Sequence, residues 1–343
     1  MSRKKNKKSK MTKKKKILIV ALVLLMPLLI YGTSVGVRLY NIYSTMHESL
    51  DDEEFEAIDP EDLIDYDNEP EADVIPEDEV EAYKFLDDRI YDQPRSARNS
   101  DHLNIMLMGI DSRTIGGAGR ADSLMVVQYN KRTKKAAILS IPRDTYVRIP
   151  GRGYDKINHA SAFGGTRLLK ETVEGYLDIH IDHYARVDMQ SFTRAIDAIG
   201  GVQITVPQDM VHTNGRVLFR AGSQHMNGDD VLRYTTARKL RSGGGDDFGR
   251  IKRQQQVVMT ILTKVSNELS LNQALSLLED ISPFIRTDIT PNVVMSNWSA
   301  FTSLNLNTVD MSTLDGTGFR HNRIYYYRVP IEDARKRAAS LTQ

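Results

Sequence analysis

Arg143 and Asp144 follow Pro142 at the point where an apolar, β-prone run, Ala136 to Ile141, comes to an end. An arginine at the carboxyl end of a buried strand is poorly placed for packing. It is well placed to meet a ligand at the edge of an open α/β sheet. Taken alone, the pair also fits a surface ion pair beside a turn. Three other stretches bring matching chemistry: GIDSR at 109–113, GRADS at 119–123 and GRIKRQQ at 249–255. Asp111 follows the run Leu103 to Gly109, and Asp122 precedes the run Ser123 to Tyr129. On neighbouring strands these carboxylates meet at one edge of the sheet. Two carboxylates plus phosphate oxygens are a usual Mg²⁺ set, because Mg²⁺ keeps several waters and takes few protein ligands. The alternative is that Asp111 caps a turn and Asp122 pairs with Arg120.

Arginines recur beside these points: Arg113, Arg120, Arg143, Arg238, Arg250 and Arg253. A guanidinium is a planar fork that grips phosphate oxygens in pairs. Arg250 lies near a helix N-terminus, where backbone N–H groups also favour anions. Arg250, Arg253 and Gln254 are spaced i, i+3, i+4 and share one helix face. Single arginines on helices are otherwise commonly solvated.

Other chemistries find little support. GGAG at 116–119 lacks the order of a P-loop or a dinucleotide fingerprint and reads as a flexible connection. His180 and His183 have no third partner at metal-ligand spacing, and His159 within KINHA reads as a packing residue. There is no G-x-S-x-G elbow. The chain has no cysteine, which removes disulfides and thiol chemistry and is permissive for an oxidising compartment.

The elements that must position these residues alternate. Leu103 to Gly109, Ser123 to Tyr129 and Ala136 to Ile141 read as strands, the last two joined by the polar turn Asn130 to Lys135. Helical spacing covers Thr166 to Leu177, Met189 to Ile199, Gly228 to Lys239, Arg250 to about Asn267, and Leu271 to Leu278. Tyr184 to Val187, Val202 to Val206 and Ile324 to Val329 read as further strands, and a helix follows Ile331. This pattern predicts an α/β domain, one central sheet covered by helices on both faces, over residues 101–343.

The net charge of +1 over 343 residues conceals segregation. Residues 1–16 carry ten Lys or Arg and no acid. Ile17 to Val37 is uncharged and long enough to cross a ~30 Å hydrocarbon layer. By the positive-inside rule residues 1–16 are cytoplasmic, 17–37 a transmembrane helix, and everything after Arg38 extracytoplasmic. A cleaved signal peptide would need a shorter apolar core and an A-x-A site, which is not evident after Tyr31. Residues 38–100 read as a linker. Within them 48–92 hold twenty-one Asp or Glu against Lys84 and Arg89, so self-repulsion predicts an extended spacer, with room for a short helix from Asp78 to Ile90. From Asp101 the balance is 31 basic to 24 acidic residues, which suits an anionic ligand. No zinc-finger spacing or aromatic RNA signature points to nucleic acid.

With these residues in view, the chain resembles the LytR–CpsA–Psr family of cell-wall glycopolymer ligases. The resemblance rests on NIMLMGIDSR (104–113), GRADSLMVV (119–127), LSIPRDTYVRIPGRGYDKINHA (139–160), AFGG (162–165), IDHYARVD (181–188), AIGGVQITVP (198–207) and DDFGRIKRQQQ (246–256), in matching order and spacing. It implies one domain with a central mixed sheet flanked by helices, preceded by a membrane span. It implies transfer of a glycopolymer or saccharide phosphate from a polyprenyl-pyrophosphate carrier to a muramic acid hydroxyl of peptidoglycan. It also implies use of Mg²⁺, and burial of the polyprenyl tail between sheet and helices.

Carried over by position, Asp111 and Asp122 would hold the metal and serve in proton removal. Arg120 and Arg143 would be catalytic. Arg120, Arg143, Arg238, Lys239, Arg250, Arg253 and Gln254 would hold the pyrophosphate. One departure stands out: the family often has R-x-R before the Gly-rich loop, and here Thr236 takes the place of the first arginine, with Lys239 or Arg241 as substitutes. Two alternatives share the same residues: a lipid-pyrophosphate hydrolase, and a non-catalytic, membrane-tethered regulatory binder of polyprenyl phosphates.

Overall fold

The computed structural model describes residues 34–51, 53, 57–63, 70–112, 119–241, 243–244, 247–268, 271–297 and 304–342. The first helices among the described residues are α1 (34–46) and α2 (Glu77–Tyr91). Strands β1 (His102–Asp111), β2 (Arg120–Asn130) and β3 (Lys135–Ser140) follow, then a hairpin of β4 (Tyr146–Ile149) and β5 (Gly153–Lys156). Next come α3 (His159–Leu177), β6 (His183–Asp188), α4 (Met189–Ala198), β7 (Val202–Val206), β8 (Met210–Val211), β9 (Val217–Phe219) and β10 (Gly222–Met226). The last part holds α5 (Gly228–Thr236), α6 (Asp247–Glu268), α7 (Leu271–Ile281), β11 (Arg286–Thr287), α8 (Pro291–Ser296), β12 (Asp310–Thr313), β13 (Thr317–His321), β14 (Ile324–Arg328) and α9 (Ile331–Ser340).

Six strands form one mixed sheet in the order β11-β6-β1-β2-β3-β12. The pairs β1–β2 and β2–β3 are antiparallel, whereas β1–β6 and β3–β12 are parallel. The β2–β3 turn forms because the Asn130 carboxamide oxygen accepts the Arg132 and Thr133 N–H groups at 2.9 and 3.0 Å. Such a local bond lets Asn close a turn without tertiary help. Alternation along β1 sends Met106, Met108 and Ile110 into the main core beneath α3 and α9. Leu103 and Ile105 join a smaller cluster with Tyr129 and Ala136. A separate core under α4, α5 and α6 gathers Ile196, Ile204, Val231, Tyr234 and Val257.

The predicted span 17–37 lies outside the described residues up to 33, and positions 34–37 open α1. Among the described residues, no helix is long and apolar enough to cross a membrane. The expected extended spacer, by contrast, is partly docked. Val80 of α2 is buried with Tyr146, Phe319 and Tyr326. Arg328 donates to both oxygens of Asp87, at 2.7 and 3.0 Å. The reason is helical periodicity: at one turn's spacing the few apolar residues and one acid of an acidic segment share a face, and that face finds a complementary surface.

The two side chains of this pair are only 5 % and 10 % exposed. Asp87→Ala strands a buried guanidinium and should destabilise the domain by roughly 3–5 kcal/mol in a denaturant titration. A loss of under about 1 kcal/mol, the range of exposed pairs, would show that α2 is not anchored there.

Candidate functional site

The site grows from the end of the β1–β2 pair where Asp111 ends β1 and Arg120 begins β2. Gly119 makes the approach possible, because a Cβ there would lie 2.3 Å from the Asp111 carbonyl oxygen. With the strands this close, Asp111 and Arg120 sit opposite each other in register, and their side chains meet at 3.5 Å. Arg120 also donates to the Leu63 carbonyl at 3.0 Å. Asp122 lies two residues further along β2, on the same side as Arg120. The register slips between Gly109 and Ile110, so Asp122 sits at the irregularity. Bulges of this kind re-aim a side chain beside a site.

Arg143 stands just past β3, as its position in the sequence predicts. Its side chain is 13 % exposed and meets three carboxylates: Asp122 at 3.1 Å, Asp144 at 3.2 Å and Asp247 at 3.8 Å. Asp144 is itself held by Lys156 at 3.2 Å. Asn158 donates to Asp122 at 3.4 Å, and its N–H bonds the Arg143 carbonyl at 3.1 Å. The KINHA stretch therefore braces the arginine through Lys156 and Asn158. Its His159 pairs with Asp155 at 2.9 Å instead of facing the site.

The first turn of α6 closes the far side. Asp247 and Arg250 form an i, i+3 ion pair. A small cavity between strand ends and helix has Asp122, Arg143, Asp247, Arg250 and Gln254 on its polar wall, and Leu124, Ile141 and Ile251 on its apolar wall. The Nε of Arg250 is buried without a hydrogen-bond partner among the described residues. A buried donor left open in this way is a place where an arriving anion gains most.

Arg250 and Gln254 thus share the cavity, but Arg253 does not. Its guanidinium donates to the carbonyls of Tyr234 and Ala237, both at 2.7 Å, and to that of Gly244. The common face read from i, i+3, i+4 spacing is split, because the carbonyls at the end of α5 lie within reach of one of the three side chains. Arg253 fixes the loop after α5 and does not present a free fork. Arg238 comes close enough to feel Arg143 and Arg250: partial burial first, and then those two cations, lower its pKa. Lys239 is exposed, with a positive φ of 53°, and its carbonyl accepts from Thr213. Thr236 ends α5, and its hydroxyl donates to the Leu232 carbonyl at 2.7 Å. Arg113, and positions 116–118 of the Gly-rich connection, lie outside the described residues.

Charge in the site is balanced internally. Burial works against the Arg143 cation, yet Asp122, Asp144 and Asp247 outweigh it and hold its pKa above the usual arginine range. Burial also opposes the Asp144 anion, but Arg143 and Lys156 hold its carboxyl well below the usual carboxylate range. Asp247 goes the other way: burial dominates over Arg250 and Arg143 and raises its pKa. Two neighbouring carboxyls pushed apart in this manner mark a site built for charge and proton work.

Sequence reasoning missed Asp247, Lys156 and the Leu63 carbonyl. Asp247 had a local signal, since an acid in the first turn of a helix is favoured by the helix dipole. The other two depend on contacts made far along the chain, and no spacing rule reveals them. As for a metal, Asp111 and Asp122 present hard oxygen donors at one strand edge, the set Mg²⁺ accepts together with phosphate oxygens and water. Among the described residues no group of three or more carboxylates and histidines is placed to cage a metal by itself.

The chain has clear relatives among known proteins. The LytR_cpsA_psr family model matches residues 69–343. The chain is 37 % identical over 235 residues to a polyisoprenyl-teichoic acid–peptidoglycan teichoic acid transferase TagU of Halalkalibacterium halodurans, covering 68 % of this chain and 76 % of that protein. The TagU of Bacillus subtilis is 36 % identical over 238 residues, covering 69 % and 76 %. Among solved structures, Bacillus subtilis TagV superposes with a TM-score of 0.61 at 29 % identity, over 71 % of this chain and 96 % of that one. A TagT structure bound to LI-WTA gives 0.58 at 27 % identity, over 73 % and 93 %.

The raised Asp247 pKa has a consequence for stability. A carboxyl that binds its proton more tightly when folded contributes stability below its unfolded pKa, and that contribution fades as pH rises through the folded value. Asp247→Asn should therefore gain stability over the wild type as pH climbs from about 4 toward neutrality, and the two should converge in acid. Thermal melts across that range check this; a variant less stable than wild type at neutral pH contradicts it.

Proposed function

The chain belongs to the LytR–CpsA–Psr family, and from that premise we propose that it transfers an anionic cell-wall glycopolymer or saccharide phosphate from a polyprenyl-pyrophosphate carrier to peptidoglycan, forming a phosphodiester. The observation that carries the reading is Arg143. It is a guanidinium set rigidly at a strand end by three carboxylates, with Arg120 and Arg250 at the same edge and an apolar wall beside it. Such a cluster suits a diphosphate joined to a lipid.

In this reading Arg120, Arg143, Arg238 and Arg250, with Gln254, grip the pyrophosphate and neutralise the charge that builds on its bridging oxygen. Phosphoryl transfer asks mainly for positioning and charge neutralisation of this kind. The acceptor hydroxyl attacks the saccharide-bearing phosphorus, the P–O bond to the prenyl phosphate breaks, and prenyl phosphate leaves. Asp111 or Asp122 takes the hydroxyl proton. Those two residues would also hold Mg²⁺, which when bound supplies further neutralisation of phosphate charge.

Arg253 serves as a positioning residue for the loop that carries Arg238. Lys239 meets the carrier only if its exposed side chain swings toward the cavity. The cytoplasmic basic tail, the span 17–37 and an extracytoplasmic catalytic domain complete the proposal, with membrane lipid, the prenyl-linked glycopolymer and peptidoglycan as partners. The names of the relatives support the partner classes.

The test incubates the full chain in detergent with a polyprenyl-pyrophosphate saccharide, Mg²⁺ and peptidoglycan oligomers, and follows products by mass spectrometry. A phosphodiester-linked adduct is expected. Arg143→Lys keeps the buried charge but loses the fork, and should lower turnover by about 10²–10³ while the domain stays folded. Wild-type turnover in that variant would sink the reading, and release of free saccharide phosphate alone would replace it with hydrolysis.

A further inference from the structure

Strand β3 is apolar from Ala136 to Leu139 and then ends on a hydroxyl. Ser140 is only 1 % exposed and stands just before Ile141, Pro142 and Arg143. A buried hydroxyl costs free energy unless its hydrogen bonds are made, whereas an apolar side chain would pack there freely. The serine lines the small cavity together with Asp122, Arg143, Arg250 and Gln254. Its carbonyl is occupied elsewhere, accepting the Leu314 N–H at 3.1 Å.

Helix α6 sets the polarity of this hydroxyl. Gln255, 7 % exposed, places its Nε2 2.9 Å from the Ser140 Oγ and 3.1 Å from the Ser312 carbonyl oxygen on β12. A third neighbour, the Thr313 Oγ1, stands further off at 3.5 Å. A carbonyl oxygen only accepts, so the nitrogen end of the amide faces Ser312. That nitrogen carries two protons and accepts none. One proton goes to Ser312 and the other to the Ser140 Oγ, which is therefore an acceptor here. The proton of Ser140 itself needs a different acceptor, and none lies within bonding distance among the described residues.

The cavity is where such an acceptor can enter. Gln255 is one helical turn beyond Ile251, a residue of the cavity wall, so the Ser140 Oγ faces the helix that closes the cavity. Arg250 brings a second open donor to the same space, its buried Nε–H without a partner among the described residues. The carboxylates alongside are already engaged, Asp122 with Arg143 and Asp247 with Arg143 and Arg250. A neutral O–H and a guanidinium N–H, both open on one cavity, call for an incoming anion.

We propose that Ser140 binds the carrier directly, its O–H donating to a phosphate oxygen of the pyrophosphate beside Arg250, and that Gln255 is the positioning residue that turns the hydroxyl toward it. The hydroxyl adds no charge. It fixes the place of one oxygen, where the arginines neutralise. The assignment rests on the carrier reading given under the proposed function.

Two ligands test it by calorimetry on the full chain in detergent: geranylgeranyl pyrophosphate, and geranylgeraniol, which is the same prenyl chain without phosphate. Ser140→Ala should bind the pyrophosphate about ten-fold more weakly and the alcohol as wild type does, the second result also showing that the fold is intact. Ser140→Cys, of similar size but with a weak S–H donor, should fall between. Gln255→Met keeps the volume and removes the amide. It should weaken pyrophosphate binding several-fold, and adding Ser140→Ala to it should cost far less than ten-fold, because Gln255 acts through the hydroxyl. Unchanged pyrophosphate binding by Ser140→Ala, or an equal loss for both ligands, overturns the assignment and leaves the proposed function standing. Full additivity in the double variant overturns the role of Gln255. No binding of the pyrophosphate by wild type overturns the carrier reading and, with it, the assignment.

Discussion

A guanidinium buried at a strand end needs anions, and the three carboxylates around Arg143 come from three different parts of the chain. Asp122 belongs to β2, Asp144 follows β3, and Asp247 opens α6. Removing a charge from water costs several kcal/mol per ion, and only close, well-made pairing offsets it. The Arg143 fork is therefore fixed before any substrate arrives. Its orientation depends in turn on Lys156, which holds Asp144 from β5. The sheet, the hairpin behind it and the first turn of α6 are tied together by this one charge.

The same balance leaves something for a ligand. Burial outweighs the cations beside Asp247 and raises its pKa. Arg250 keeps a buried Nε–H without a partner among the described residues. An anion entering here would meet arginines already oriented by their carboxylate partners. Preorganised charge of this kind is where enzymes find much of their rate. A conformationally loose site would lose that advantage, since the reorganisation would fall in the reaction itself.

The acidic stretch before the catalytic domain gains a different meaning beside this site. As free chain it would stay extended through self-repulsion. Docked, it places Asp87 on Arg328 and Glu53 on Arg186, two buried pairings that repulsion alone would not suggest. α2 is anchored by apolar packing of Val80 against Tyr146, Phe319 and Tyr326.

The sequence by itself determined the strands that carry the chemistry, because β1, β2 and β3 are near-continuous apolar runs closed by an Asn turn, a local signal. It also pointed to Asp122, Arg143, Arg250 and Gln254, which line one cavity. Tertiary structure alone decided the rest. Arg253 shares the spacing of Arg250 and Gln254, yet carbonyls at the end of α5 claim it. Lys156 and Asp247 become the braces of Arg143 only when a hairpin and a helix from distant parts of the chain close on the sheet edge. The reason is physical: periodicity fixes which side of an element a residue faces, while the partner waiting on that side is set by how the elements pack.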